Sequence, residues 1–378
     1  MRSLAVASFL LLSLTSSASA LSSCVAFDAN WNLLAFNFGG KDYNAGTQQN
    51  WNSADPTDIT AQGRPPFDGP NVYCYLSQFT NAIYILGADS KNPTAVYLYD
   101  ASAKSWSTQA VQADSGNKFD PTNFAAILDH DTNVFYAYSK GDIFSLDMEL
   151  LKAANSTAKQ WVDAQTVPWD ASTYKPTMAL AQNHIHFLGV PNVPAGSAMI
   201  FVIHFSFMQP EPQLYGQFPS THGQTTSFFM DTGVQTKFAF IPDDVSATYV
   251  IDVTTNTTQT LKAPTNQDPN ATYFASTDSL VQLSSSGAVS YLPFNQQQAS
   301  DNSGASWTAI TKLPTASTNS SASSSGSSAS PSGTSGASSS SGGSSSGGNS
   351  NGNGALPLAF AGSWFWSVVG LLVGAALF

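Results

Sequence analysis

The chain repeats, in degenerate form, the stretch Cys74-Tyr-Leu-Ser-Gln-Phe-Thr-Asn-Ala-Ile-Tyr-Ile-Leu-Gly-Ala-Asp-Ser90. An earlier copy, Cys24–Gly40, aligns with it without a gap, and both run from a cysteine to a turn that contains glycine. Two short runs rich in apolar and β-branched residues around a polar turn predict two antiparallel strands. Further copies are Ala125–Lys140 and Met178–Gly189, and weaker ones begin near Phe228 and Phe274.

A second marker follows in most copies: a strand, a turn and a returning strand with a large apolar residue. In the second copy Tyr99-Asp100 ends one strand and Trp106 lies on the next. A unit of about 50 residues with four strands is typical of a propeller blade. We therefore predict an all-β fold over residues 21–315, a β-propeller of six to seven four-stranded blades. Later markers are Asp142–Asp147 leading to Trp161, Tyr249–Val253 leading to Leu261, and Val289–Phe294 leading to Trp307.

These repeats resemble the kelch family of β-propellers, whose pattern is an apolar strand, a Gly-Gly pair, a Tyr-Asp pair and a tryptophan. The first copy carries Gly39-Gly40 after its second predicted strand, and the second copy carries Tyr99-Asp100 with Trp106. The resemblance covers about residues 24–310 and implies a propeller. It is degenerate, because only the first copy keeps the Gly-Gly pair.

The N-terminus has the layout of a secretory signal peptide over residues 1–20. Arg2 is followed by the apolar run Leu4–Leu14 and by Ala18-Ser19-Ala20, a small-residue cleavage site. The run is too short to span a bilayer, which favours cleavage over a retained anchor.

The 66 residues after Lys312 carry no charged side chain. Residues 316–354 form a Ser/Gly-rich stretch that we expect to be a disordered, O-glycosylated stalk. Residues 355–378 are hydrophobic and resemble a glycosylphosphatidylinositol (GPI) attachment signal, which is removed when the lipid is added. A retained transmembrane helix is the alternative, although no Lys or Arg flanks the tail. The attachment candidates are Asn349, Asn351 and Asn353.

The composition excludes one class of partner. The chain has 13 Lys and Arg against 24 Asp and Glu, a formal net charge of −11. An acidic chain of this kind does not bind nucleic acid by electrostatics. The sequence predicts attachment to the membrane through the GPI lipid and a glycan or protein ligand, and it leaves the oligomeric state open.

Cys24 and Cys74 are the two cysteines, and a secreted chain favours a disulfide between them over two free thiols. They occupy equivalent positions in successive copies, so the bond would join the inner strands of the first two blades. The sequence also contains four N-glycosylation sites, which we expect to be exposed: Asn155, Asn256, Asn270 and Asn319.

Two groups of residues suggest metal or acid–base chemistry. His184 and His186 alternate on a predicted strand and, with His204 or His222, could bind zinc. Matching positions in other copies hold packing residues, which favours a structural role. Asp129-His130-Asp131 and Asp243-Asp244 could bind calcium or act as acid and base, but aspartates are also common in turns. We therefore predict no catalytic residue, metal site or cofactor.

Tryptophans offer a third possibility, because exposed indole rings stack on sugars. Several lie at the blade-closing position, where packing between blades is the alternative. The six are Trp31, Trp51, Trp106, Trp161, Trp169 and Trp307.

Two functions remain after these observations. The first is a non-enzymatic, GPI-anchored glycoprotein at the extracellular face of the plasma membrane or in the cell wall, binding a glycan or protein or acting structurally. The second is an extracellular propeller enzyme, a hydrolase or oxidase acting on wall carbohydrates. The layout of signal, β domain, Ser-rich stalk and lipid signal is similar to GPI-anchored surface proteins of fungi.

Overall fold

The computed structural model describes residues 22–316, which form a six-bladed β-propeller. The predicted all-β fold is confirmed, and the blade number is six. Each blade is an antiparallel sheet whose strands follow one another in chain order from the axis outward. The six inner strands pack side by side in a closed ring, and blade 6 meets blade 1.

The strands of the first three blades have the following bounds. Blade 1 contains Cys24–Phe27, Leu33–Phe38, Lys41–Asn44 and Thr57–Asp58; blade 2 contains Tyr73–Ser77, Ala82–Leu86, Val96–Asp100 and Ser105–Gln109; blade 3 contains Ala125–Asp129, Val134–Ser139, Asp142–Asp147 and Val162–Thr166.

The last three blades follow the same plan. Blade 4 contains Thr177–Ala181, His184–Leu188, Ser197–Val202 and Phe207–Met208, with Gln213–Leu214 also paired to its third strand; blade 5 contains Gly223–Ser227, Lys237–Pro242, Thr248–Asp252 and Thr257–Leu261; blade 6 contains Thr272–Ala275, Ser279–Leu283, Val289–Pro293 and Thr308–Ala309.

A few elements lie outside the blades. Val111–Gln112 and Lys159–Gln160 form a parallel pair beside blade 3. Short 3-10 helices span Gln48–Asn50, Ile203–Phe205 and Ala299–Gly304. No helix among residues 22–316 is long and apolar enough to cross a membrane.

The hydrophobic core lies between blades. Its buried clusters join blades 2 and 3, blades 3 and 4, blades 4 and 5, and blades 5 and 6, and a larger cluster joins blade 1 to blades 2 and 6. Each sheet is therefore apolar on both faces, as the nearly continuous apolar strand Ala82–Leu86 predicts.

The predicted disulfide is confirmed. Cys24 and Cys74 are bonded and lie on the inner strands of blades 1 and 2, with their Cα atoms 6.1 Å apart. The bond closes a loop with a sequence separation of 50 residues. In the loop-entropy model such a bond stabilises the fold by about 3–4 kcal/mol.

Among residues 22–316 no strand is shared by the first and last blades, and the last described residues add polar contacts where blade 6 packs on blade 1. Ala316 bridges Phe38 of blade 1, and its N–H donates to the Gly287 carbonyl of blade 6. Asn52 of blade 1 donates to the Ala309 carbonyl and accepts from the Thr311 N–H. These contacts form a seam between blades 6 and 1.

Candidate functional site

The central channel of the propeller contains a cavity of about 700 Å³. The inner strands of all six blades contribute to its wall. At one face of the ring the cavity reaches exposed residues in the connections between strands, among them Lys140, Ser172 and Lys175. This open end is called the mouth below.

The opposite end is closed by residues 228–236, the connection between the first two strands of blade 5, called the plug loop here. The Phe229 ring lies 4.3 Å from the His130 ring of blade 3 and 5.5 Å from the Trp31 ring of blade 1. The Met230 carbonyl accepts a hydrogen bond from Gln78 of blade 2. The plug loop thus contacts several blades and gives the cavity a single entrance.

Side-chain hydroxyls satisfy part of the free backbone edge of the inner strands. In blade 2, Tyr73 and Tyr75 donate to the Phe124 and Ala126 carbonyls beside blade 3. In blade 5, Ser227 donates to the Leu180 carbonyl of blade 4 at 2.6 Å and accepts from the Leu180 N–H. Because a buried, unpaired backbone group is costly, these hydroxyls stabilise the ring at its narrowest part.

The cavity wall differs from one side to the other. The blade 2 and blade 3 side carries Tyr73, Phe124 and Ile127, which are apolar and half-buried. On the blade 5 side, Gln224 and Thr226 are half-buried and make no side-chain hydrogen bond to any described residue. The cavity therefore offers one apolar wall and one wall with free polar groups.

Two buried polar atoms in the wall have no hydrogen-bond partner within the described part of the chain. The Tyr138 hydroxyl, near the mouth, belongs to a side chain that is 4% exposed, and burial raises its pKa. The His130 Nδ1 lies at the closed end, and burial lowers the pKa of that imidazole to about 4. Both groups are neutral at pH 7, and both atoms are buried behind the surface of the cavity wall.

The charged residues of the cavity wall are all basic. No Asp or Glu lines it, although carboxylates outnumber basic residues in the chain. Lys140 forms an ion pair with Asp120 at 3.0 Å, and His222 bonds Asp243 at 2.8 Å. Lys175 is exposed and has no ion pair among residues 22–316.

A second cavity, on the opposite face beside the plug loop, has the opposite character. It has a similar volume, and Asp231, Asp278 and Asp301 line it with no basic residue. The cavity in the channel is thus the one that departs from the acidic character of the chain.

The four histidines of the hypothetical zinc site do not converge. His186 is buried, and its Nε2 lies 3.0 Å from the Tyr215 hydroxyl. His204 is exposed beside Asn183 and acts electrostatically on His184, whereas His222 lies at the mouth with Asp243. Residues 22–316 contain no group of His, Cys, Asp or Glu side chains that could hold a metal ion.

The aspartate pairs lie in turns, as their sequence context indicates. Asp129 ends the first strand of blade 3, its side chain accepts from Thr132, and burial raises its pKa. Asp131 accepts from Asn183, and Asp244 accepts from the Ser246 N–H. His130, between the first two, is the member of these pairs that reaches the cavity.

The six tryptophans among residues 22–316 pack inside the domain and form no exposed ring of indoles. Trp51, Trp161 and Trp307 are buried, and the other three are half-buried against aromatic rings. Trp161, for example, stacks on Phe119 at 4.4 Å. The packing alternative accounts for all six, so the aromatic excess stabilises contacts between and within blades.

The predicted modification sites divide into two groups. Asn155, Asn256 and Asn270 are exposed in loops, where a glycan would be accommodated. Asn319 and the attachment candidates Asn349, Asn351 and Asn353 lie outside the described residues, as do the signal peptide and the hydrophobic tail.

The sequence interpretation missed the residues of the cavity. Tyr138, Lys175 and Thr226 come from three blades and share no motif, so only the closed ring brings them together. One signal was present: the fifth copy has a connection of nine residues, 228–236, where the second copy has four, 78–81. Such an insertion at the axis of a propeller indicates a segment that crosses the channel.

Comparisons with known proteins find no family and only distant structural similarity. No family model and no curated protein matches the sequence. PorZ, a surface component of the type-IX secretion system of Porphyromonas gingivalis, is similar over 79% of this chain, with 12% identity and a TM-score of 0.42. This chain matches 33% of PorZ, about a third of its length. A structure of the nidogen/laminin complex is similar over 64% of this chain and 80% of its own, with 10% identity and a TM-score of 0.40.

Proposed function

We propose that this protein is a non-catalytic binding module of the cell surface whose kelch-like propeller takes a glycan ligand in its channel. The observation that carries the proposal is the cavity with one entrance. Its volume of about 700 Å³ falls in the range of small-molecule sites, roughly 300–1,000 Å³. Its combination of an apolar wall and free polar groups suits a sugar, which has apolar C–H faces and a rim of hydroxyls.

The proposed location at the cell surface rests on the two ends of the sequence. A signal peptide over residues 1–20, a stalk over 316–354 and a GPI signal over 355–378 would place the propeller at the extracellular face of the plasma membrane or in the wall, as in fungal GPI-anchored proteins. The exposure of Asn155, Asn256 and Asn270 and the disulfide are compatible with a secreted glycoprotein.

A glycan array tests the binding function. The full-length protein is extracted in detergent from expressing cells and compared with Thr226→Trp, which fills the cavity from the blade 5 side. Thr254→Trp is the matched control, because Thr254 is exposed in a turn on the far face of the same blade. We expect one glycan class to bind the parent and the control, and binding to fall at least about tenfold in Thr226→Trp.

An array on which no glycan binds the parent protein would overturn the proposed function. Equal binding by Thr226→Trp would move the site away from the channel. Conversion of a bound glycan to a shorter or oxidised product would support the alternative of an extracellular enzyme.

A further inference from the structure

The electrostatics of the cavity point to the charge of its ligand. The chain has 24 acidic and 13 basic residues, yet the cavity wall contains two lysines, two histidines and no carboxylate. The second cavity, beside the plug loop, shows that carboxylates do line other concave surfaces of this protein. His130 is neutral at pH 7, and Lys140 and His222 each pair with a carboxylate, so the attraction of this wall for an anionic ligand comes from Lys175.

Lys175 is the basic residue best placed to bind that ligand. It lies in the connection between blades 3 and 4, residues 167–176, which begins with the Val167 N–H donating to the Gly141 carbonyl and ends beside Tyr174, whose hydroxyl donates to the Leu188 carbonyl. Gly141 has a φ of +92°, and a Cβ atom there would lie 2.9 Å from the Ala171 Cβ, so the two segments pack closely. Lys140 precedes Gly141 in the connection between the second and third strands of blade 3, at the mouth.

The other mouth charges are balanced from outside the cavity. Asp120 neutralises Lys140, and Asp243 neutralises His222 when the imidazole is protonated. Neither carboxylate lines the cavity. Lys175 thus supplies a positive charge without a fixed counter-ion at the entrance, a position that a ligand carboxylate can take.

The residues inside the cavity determine which uncharged groups of the ligand can bind there. The free side chains of Gln224 and Thr226 can bond hydroxyl groups, while Tyr73 and Phe124 can pack against C–H groups. Because the plug loop closes the far end, a polymer cannot pass through the channel. Only a free small sugar or the end of a chain can enter.

We propose that the cavity binds a terminal acidic sugar, with its carboxylate at Lys175 and its ring inside the channel. This inference rests on the proposed function and adds that the recognised sugar is acidic and lies at the end of the glycan. A free sugar acid and the acidic end of a longer glycan share this chemistry.

Isothermal titration calorimetry on the detergent-extracted full-length protein tests the inference with two matched ligand pairs. These are sialyllactose against lactose, and trigalacturonate against its methyl ester. We expect at least one acidic member to bind at least about tenfold more tightly than its neutral partner, the scale of a hydrogen bond to a charged group. The preference should weaken in 0.5 M salt because exposed charges are screened.

Lys175→Met should remove most of that preference. Lys91→Met is the matched control, because Lys91 is also exposed, lacks an ion pair among residues 22–316 and does not line the cavity. The free sugar acids, sialic acid and galacturonic acid, distinguish the two sources. If a free acid binds as tightly as its oligosaccharide, the cavity recognises the acid alone. If the free acid binds more weakly, the cavity recognises the end of a chain.

Three results would overturn the inference: equal affinity for the acidic and neutral members of both pairs, an unchanged preference in Lys175→Met, or no binding of either acid. If neutral glycans still bind the array and Thr226→Trp blocks them, the proposed function stands without the inference. If the array also shows no binding, both fail.

Discussion

His130 shows how one side chain can be both part of a binding cavity and a source of acid sensitivity. Its ring is 8% exposed, packs against Phe229, and has its pKa lowered from 6.5 to about 4 by burial. The unfolded chain therefore takes up a proton below about pH 6.5, whereas the folded protein takes it up only near pH 4. Protonation thus favours the unfolded state across this interval.

We expect the free energy of unfolding to fall as the pH decreases from 6.5 to 4, with His130 contributing on the order of 3 kcal/mol. His130→Phe should reduce this slope, because phenylalanine does not titrate and can pack against Phe229. Urea denaturation at several pH values measures it, and His204→Asn is the control at an exposed histidine. An unchanged slope in His130→Phe would contradict the assignment.

Among the elements, the plug loop has the largest consequence for the site. Phe229 is 8% exposed and packs between Trp31 and His130, and the Gln296 side chain donates to its carbonyl. One connection therefore converts an open channel into a cavity with a single entrance.

Phe229→Ala should reopen the closed end and lower the free energy of unfolding by about 3–5 kcal/mol, the usual cost of deleting a buried phenyl ring. Urea denaturation measures the stability, and quenching of tryptophan fluorescence by iodide reports access to Trp31. Phe79→Ala is the control, because Phe79 is 68% exposed in an inner turn of blade 2. Equal effects of the two changes would show that Phe229 does not close the channel.

The residue patterns of the strands also explain how much of the fold and of the cavity could be predicted from the sequence. Strands such as Ala82–Leu86 and Val96–Asp100 were recognisable because local apolar runs and turn residues specify them. The weak copies placed near Phe228 and Phe274 correspond to the inner strands Gly223–Ser227 and Thr272–Ala275. The first of these strands ends before Phe228, which is the first residue of the plug loop. The cavity depends on residues from several blades, and no local pattern specifies such contacts.

For the whole molecule, the last described residue lies at a defined place on the ring. Ala316 contacts Phe38 and Gly287, next to the connections between second and third strands of blades 1 and 6. Lys140 occupies the same connection in blade 3 and lines the mouth. Residue 316 therefore lies at the face that carries the mouth.

The proposed lipid anchor predicts release of the intact propeller by a phosphatidylinositol-specific phospholipase C. Cells that express the full-length chain should lose the surface protein after treatment, because the only link to the membrane would be the cleaved lipid. Flow cytometry with an antibody to the propeller measures the loss. Protein that stays on the cells, while a known GPI-anchored protein is released, would indicate a retained transmembrane helix.

The seam between blades 6 and 1 determines which contacts of the domain bear a pulling force first. Any pull transmitted along the chain from beyond Ala316 acts first on its contacts with Phe38 and Gly287, and then on the Asn52 bonds to Ala309 and Thr311. These bonds would be loaded one after another, before the buried cluster that joins blade 1 to blade 6. Blades 1 and 2, joined by the disulfide, would resist the same load. Under tension the contacts of Ala316, beside the mouth, would therefore break first.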